Sequence, residues 1–137
     1  LRAPEKRKHK SLIDNWEEAP SFDRELMKKA LRDARAIAGS RHMVIIQGGA
    51  NGADWLARML ADNAPNAHSE THSADWNRSA DGSYDKAAGF KRNQKMVDLG
   101  AQLCLAFFEK GSGNRGTADC AQRAKKAGIE VVEVWSR

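Results

Sequence analysis

Residues 43–54 of the chain read MVIIQGGANGAD, an apolar run followed by a glycine-rich turn that opens an amphipathic segment. Residues 103–117 show the same order of features as LCLAFFEKGSGNRGT. An apolar run, a cluster of glycines and then helical periodicity are typical of a strand that passes through a tight loop into a helix. Nearly continuous apolar strands are expected in a parallel sheet that is covered on both faces. The two stretches therefore predict an α/β fold.

The remaining elements alternate around these two units. Helices are predicted from Ser21 to Gly39 and over about 53–63, 85–99 and 117–127, and strands over 43–47, 68–72, 102–108 and 129–135. The first helix has a predicted apolar side of Phe22, Leu26, Ala30, Ala34 and Ile37. Strands that alternate with helices predict a Rossmann-like three-layer sandwich with a mostly parallel sheet. We divide the chain into a basic irregular segment, 1–20, and one Rossmann-like domain, 21–137.

Composition excludes several classes of protein. The chain has 137 residues, of which 41% are hydrophobic and 30% charged, which favours one globular domain over a disordered chain. No apolar run approaches the roughly 20 residues of a membrane span, and no secretory signal is apparent. The two cysteines form no CxxC pair, so we expect a reducing compartment, the cytoplasm.

Charge is concentrated at the start of the chain. Residues 1–10 hold five basic residues and one acidic residue, while the whole chain has a net charge of +5. Such a segment attracts nucleic acid by releasing counterions from phosphates. A solvated arm that carries no partner is the alternative.

Both glycine loops are suited to binding an anion. Glycine tolerates positive φ and allows close approach of a ligand, and a helix N-terminus presents free N–H donors at the positive end of a dipole. Both loops follow strand carboxyl ends, where ligands bind in open α/β sheets. The predicted phosphate loop consists of Gly113, Gly116 and Thr117. Gly48, Gly49 and Gly52 are predicted to approach a base or sugar. Thr117 is alternatively only a helix cap.

Four segments resemble the SLOG superfamily, specifically its YspA-like (YpsA-related) branch. They are 48–54 (GGANGAD), 74–76 (ADW), 88–96 (AGFKRNQKM) and 113–117 (GNRGT), and the resemblance covers about residues 21–134. It implies a Rossmann-type sheet, binding of nucleotides or nucleotide-derived signals, and a sensor or effector role in phage or defence contexts. The superfamily includes the LOG phosphoribohydrolases of cytokinin activation and the DNA-processing protein DprA.

The chain departs from that pattern twice. Family members open with a strand that ends in a Gly-x-Arg-like loop, and residues 1–20 contain no equivalent, so either that strand lies upstream of Leu1 or its place is filled differently. The phosphoribohydrolases also carry a catalytic Glu three residues after the loop threonine. Cys120 stands there in this chain, and a thiol does not replace a carboxylate that stabilises an oxocarbenium-like state. Whether the protein is an enzyme therefore stays open.

Charged residues near the loops complete the predicted site. Arg92 and Asn93 match an Arg-Asn pair of the family, and arginine binds phosphate in bidentate fashion; a surface ion pair is the alternative for Arg92. Arg115 is either a second phosphate ligand or a solvated charge. Asp54 either caps a helix or binds a ribose hydroxyl. Asp75 follows the second strand.

Trp76 either stacks on a base or covers the sheet edge. Asp54, Asp75 and Asp119 are the candidate catalytic carboxylates, although Asp119 also fits a plain helix surface. His68 and His72 are too far apart on a strand to share one ion, so we predict no metal, and we predict no cofactor.

These observations favour binding of a nucleotide, or of a small molecule derived from one, by a sensor or effector component. The alternative is a phosphoribohydrolase that cleaves the N-glycosidic bond of a nucleoside monophosphate. Nucleic-acid binding through the basic segment is a third possibility. A homo-oligomer and no membrane partner are expected.

Overall fold

The computed structural model describes residues 21–49, 52–76, 81, 86–111 and 113–135. Helices and strands alternate along it as predicted, and the protein is a mixed α/β structure. The elements are α1 (Ser21–Ala38), β1 (Met43–Gln47), α2 (Ala53–Asp62), β2 (Ala67–Thr71), α3 (Ala88–Asp98), β3 (Leu103–Phe108), α4 (Arg115–Lys126) and β4 (Glu130–Trp135). The basic segment 1–20 lies outside the described residues. Within them, no helix combines the length and apolar character of a membrane span.

The four strands form two parallel pairs. β1 pairs with β2, with Met43 opposite Ala67, and β3 pairs with β4, with Leu103 opposite Glu130. Parallel neighbours need a crossover connection, which α2 and α4 provide. The predicted parallel pairing is thus present, as two two-stranded sheets.

One hydrophobic core joins the two strand pairs. Its buried residues come from α1 and α2 and are Met27, Leu31, Trp55, Leu56, Ala57 and Met59. Ile45 of β1 packs against this cluster, and so do Leu105 and Phe107 of β3. Because strands from both pairs contact the same cluster, the pairs belong to one folded unit.

The apolar side predicted for α1 is only partly correct. Ala30 is buried, but Met27 and Leu31 form the centre of the buried face, and Ile37 is 65% exposed. The last turn of the helix is held by polar contacts instead, since the Arg35 guanidinium donates to the carbonyl oxygens of Arg41 and Asn66. The side chain of Phe22 lies outside the described part of the chain.

A cavity of about 340 Å³ separates β1 from β3. It is lined by consecutive residues of both strands, 44–47 and 103–107, and by residues of all four helices. Successive side chains of a strand point to opposite faces, so a cavity lined by consecutive residues lies beside the edge of a strand. The free edges of β1 and β3 therefore border the same space.

Truncation of Met27 tests the shared core. Met27 is 1% exposed, and Met27→Ala should lower the free energy of unfolding by about 2–5 kcal/mol, because the substitution removes buried apolar volume. Urea denaturation measures this change. Ile37→Ala on the same helix is the control and should stay within about 0.5 kcal/mol of the parent. Equal losses for the two variants would contradict the burial described for α1.

Candidate functional site

Two successive residues of α3 connect the glycine loops. Nη1 of Arg92 donates to the carbonyl oxygen of Gly48 at 2.7 Å, and Nδ2 of Asn93 donates to that of Gly116 at 3.2 Å. Nε of Arg92 also donates to Oδ1 of Asn93 at 2.9 Å. Gly48 follows β1, and Gly116 follows β3. The carboxyl ends of the two strands therefore meet at α3.

The first loop is shaped by a close approach. A Cβ atom on Gly48 would lie 2.6 Å from Cζ of Arg92, so a side chain at this position would displace the guanidinium. The next turn is fixed by the buried side chain of Gln47, whose Oε1 accepts a hydrogen bond from the Gly49 amide at 2.6 Å. Gly49 and Gly52 both have positive φ, at 79° and 93°. Glycine at position 48 thus leaves room for the Arg92 guanidinium, and glycine at positions 49 and 52 permits the positive φ angles of the loop.

The second loop is closed by one asparagine. The Asn114 side chain accepts from the Glu109 amide and donates to the Glu109 carbonyl, both at 2.9 Å. Asn114 itself is left-handed, with φ 54°. Because α4 begins at Arg115, two residues earlier than predicted, Gly116 and Thr117 lie in its first turn. Asn114, rather than Thr117, holds the N-cap position.

Polar residues from three helices line one end of the cavity between β1 and β3. Asp54 comes from the first turn of α2, Arg92 and Asn93 come from α3, and Thr117 comes from the first turn of α4. The first N–H groups of a helix have no partner within it and lie at its positive end. The arrangement combines a carboxylate, a guanidinium, an amide and a hydroxyl beside a helix N-terminus.

The other predicted ligand residues stand outside this group. Gly113 precedes α4, while Arg115, its first residue, is exposed. Asp75 follows β2. Among the described residues, the cavity lining includes neither Asp75 nor Arg115.

Trp76 lies against the start of α3. A Cβ atom on Gly89 would come within 3.0 Å of Cη2 of the indole, so the ring rests on the helix where glycine leaves room. Gly89 precedes Arg92 by about one helical turn, and Trp76 is 40% exposed. An accessible aromatic side chain therefore lies close to the Arg92 end of the site.

The Asp119 carboxylate accepts two side-chain hydrogen bonds. Its Oδ2 accepts from Nδ2 of Asn93 at 3.1 Å and from Nε of Arg123 at 2.8 Å. Burial alone would raise the pKa of Asp119, but the hydrogen bonds from Arg123 and Asn93, with the charge of Arg123, lower it. The carboxylate is therefore ionised at neutral pH and helps to orient Asn93.

Three residues that shape the site were not singled out from the sequence. Gln47 ends an apolar strand just before Gly48, and a polar residue there is a usable signal. Asn114 stands between a glycine and a helix, and asparagine is one of the few residues besides glycine that adopt the left-handed conformation. Gly89 gave no signal, because its role depends on Trp76, which is distant in sequence.

The fold and site define a mixed α/β protein with two glycine loops held by a single helix. No protein-family model and no solved structure matches the chain. The chain is similar to the Gene 61 protein of Mycobacterium phage D29, with 40% identity over 94 residues that cover 66% of this chain and 70% of the phage protein. It belongs to the family of that phage protein.

The role of Asp119 predicts a pH-dependent stability difference. Because its pKa is lowered in the folded protein, from 3.8, the ionised form stabilises the fold above that value, and this contribution is lost as pH falls through the folded pKa. Asp119→Asn should therefore be less stable than the parent at pH 7, and the difference should shrink in acid. Urea titrations at several pH values measure it.

The control is Asp33→Asn, which removes an exposed ion pair with Lys29 of the same i,i+4 spacing. Exposed pairs contribute little, so this variant should match the parent at every pH. A difference for Asp119→Asn that is independent of pH would contradict the assignment.

Proposed function

We propose that the protein binds a nucleotide, or a small molecule derived from one, at the carboxyl ends of β1 and β3, and acts as a sensor or effector component. The observation that carries the proposal is the connection of both glycine loops by Arg92 and Asn93, beside Asp54 and Thr117. It brings a helix N-terminus, which could bind a phosphate, and a carboxylate, which could bind a ribose hydroxyl, to one cavity. A phosphorylated sugar needs both.

The phosphate group would lie at the first turn of α4. Backbone amides at a helix N-terminus can donate to an anion, and the Thr117 hydroxyl would add a donor. A guanidinium has five N–H donors, so Arg92 retains donors beyond its bonds to Gly48 and Asn93. Arg115 adds positive charge at the same helix end.

The sugar and base would lie towards the first loop. The Asp54 carboxylate accepts hydrogen bonds, as recognition of a ribose hydroxyl requires. Trp76 offers an aromatic face near Arg92, and stacking on such a face suits any base. A nucleoside phosphate extending from Thr117 towards α2 would use both ends of the site.

We also propose that the two strand pairs are the halves of one Rossmann-like sheet in a three-layer sandwich. Neighbouring strands lie about 4.8 Å apart, and the free edges of β1 and β3 border the same cavity, so a further strand between them would pair with both. Such a strand would come from outside the described residues. This arrangement agrees with the resemblance to the SLOG superfamily.

Binding is favoured over hydrolysis by the state of the carboxylates. The ionised Asp119 carboxylate accepts hydrogen bonds from Asn93 and Arg123. Cys120 stands where the phosphoribohydrolases have their catalytic Glu. Among the described residues, Asp54 is the one carboxylate of the cavity lining, so an N-glycosidase built on these residues would have to depend on it. Self-association and nucleic-acid binding through residues 1–10 stay predictions.

A thermal-shift panel tests ligand binding. Adenosine and guanosine phosphates, nicotinamide dinucleotides and ribose 5-phosphate are the probes, and a ligand at 100 times its Kd should add about 2.7 kcal/mol of stability. Thr117→Val keeps the side-chain volume but removes the hydroxyl, and should weaken binding by about tenfold, the loss of one hydrogen bond. Lys95→Ala, an exposed change on α3, is the control and should bind like the parent. A folded protein that responds to none of the probes would refute the proposal.

Release of free base from a nucleoside monophosphate tests the alternative. No release is expected from the parent at any pH, because the cavity lacks a carboxylate at the position of the catalytic Glu. Chromatography of the reaction mixture measures the free base. Turnover that is abolished in Asp54→Asn would establish the phosphoribohydrolase instead.

A further inference from the structure

The two cysteines of the chain face each other across the contact between β3 and α4. Cys104 is the second residue of β3, Cys120 lies in the second turn of α4, and both are partly buried. Both line the cavity between β1 and β3, and their thiols are close enough for each to shift the pKa of the other. Two thiols in the lining of one cavity, on elements that pack together, are placed for chemistry between them.

The packing around the pair keeps strand and helix close. Ala106 of β3 and Ala121 of α4 are buried in one small cluster with Phe108. Alanine carries only a methyl group, so little side-chain volume separates the two elements. The strand and the helix are therefore close together at this point, as a disulfide between Cys104 and Cys120 requires.

The hydrogen bond makes the two thiols unequal. Donation from Cys120 lowers the pKa of Cys104 to about 7, against burial, which raises it. The same hydrogen bond and burial raise the pKa of Cys120 far above its usual range. At neutral pH, Cys104 is therefore partly a thiolate, the nucleophilic form, whereas Cys120 keeps its proton.

We propose that Cys104 and Cys120 form a reversible disulfide, with a hydroperoxide as the oxidant. The Cys104 thiolate attacks the peroxide, the O–O bond breaks, and a sulfenic acid forms as the alcohol or water leaves with a proton. The Cys120 sulfur then attacks the Cys104 sulfur, the S–O bond breaks, and water leaves with the Cys120 proton. In total, two thiols and one hydroperoxide give one disulfide, one alcohol (water from hydrogen peroxide) and one water. A dithiol reverses the reaction by thiol–disulfide exchange.

The disulfide would act on the second glycine loop. Cys120 follows Thr117 by about one helical turn, so a covalent bond from Cys120 to β3 fixes the first turns of α4 to the sheet. The oxidised and reduced forms would differ in the freedom of this helix end. The disulfide would form whichever ligand the cavity binds.

Oxidation of the full chain tests the pair directly. The protein is treated with hydrogen peroxide, unfolded, and alkylated with N-ethylmaleimide, and its intact mass is measured. The expected product has lost roughly 2 Da, one hydrogen per sulfur, takes up no maleimide, and regains two reactive thiols after dithiothreitol. Oxygen adducts without a cross-link, or full maleimide uptake, would overturn the proposal.

Alkylation rates test the role of the hydrogen bond. Cys120→Ala removes the donor, so the reaction of Cys104 with iodoacetamide at pH 7 should slow by about fivefold, because a smaller thiolate fraction outweighs its higher nucleophilicity. Cys120→Ser keeps a donor and should preserve most of the rate, although it cannot form the disulfide. Circular dichroism establishes that both variants fold. Equal rates in Cys120→Ala and the parent would show that Cys120 does not activate Cys104.

Discussion

The site depends on one constraint, the approach of the Arg92 guanidinium to the backbone of Gly48. This contact is possible only because residue 48 has no Cβ, and it fixes α3 to the end of β1. The neighbouring Asn93, 3% exposed, fixes the same helix to the start of α4. A buried amide and a partly buried guanidinium need partners, and here those partners are the two loops. The carboxyl ends of β1 and β3 are held together by this requirement.

The cavity has two different parts. Its polar end is formed by helix first turns and α3, whereas the rest is bordered by the strand edges and by apolar residues such as Met27 and Leu31. A small polar ligand suits the first part and an apolar strand suits the second. The proposed ligand and the proposed further strand would therefore occupy different surfaces of the cavity.

Much of the local structure could be predicted from the sequence. Apolar periodicity placed all eight described elements to within a few residues, because caps, glycines and strand patterns are local signals. The buried face of α1 could not be predicted fully, since Met27 and Leu31 are buried by packing against α2, which follows later in the chain. Arg92 and Asn93 were singled out through a resemblance, but their bonds to Gly48 and Gly116 join residues far apart in sequence. The contact of Gly89 with Trp76 could likewise not be predicted, because the two residues are distant in sequence.

The hydrogen bonds of Arg92 and Asn93 also belong to a longer chain of side-chain hydrogen bonds that extends beyond the two loops. Asn93 donates to Asp119, and Asp119 also accepts from Arg123. Nη1 of Arg123 donates to Oε1 of Gln94 at 2.9 Å. Gln94 donates in turn to Asp98 at the exposed end of α3. Linked hydrogen bonds polarise one another. The contact between Arg92 and Gly48 is therefore connected, through side-chain hydrogen bonds alone, to the exposed end of α3, so a change at the first loop would also change the polarisation of groups on the outer surface.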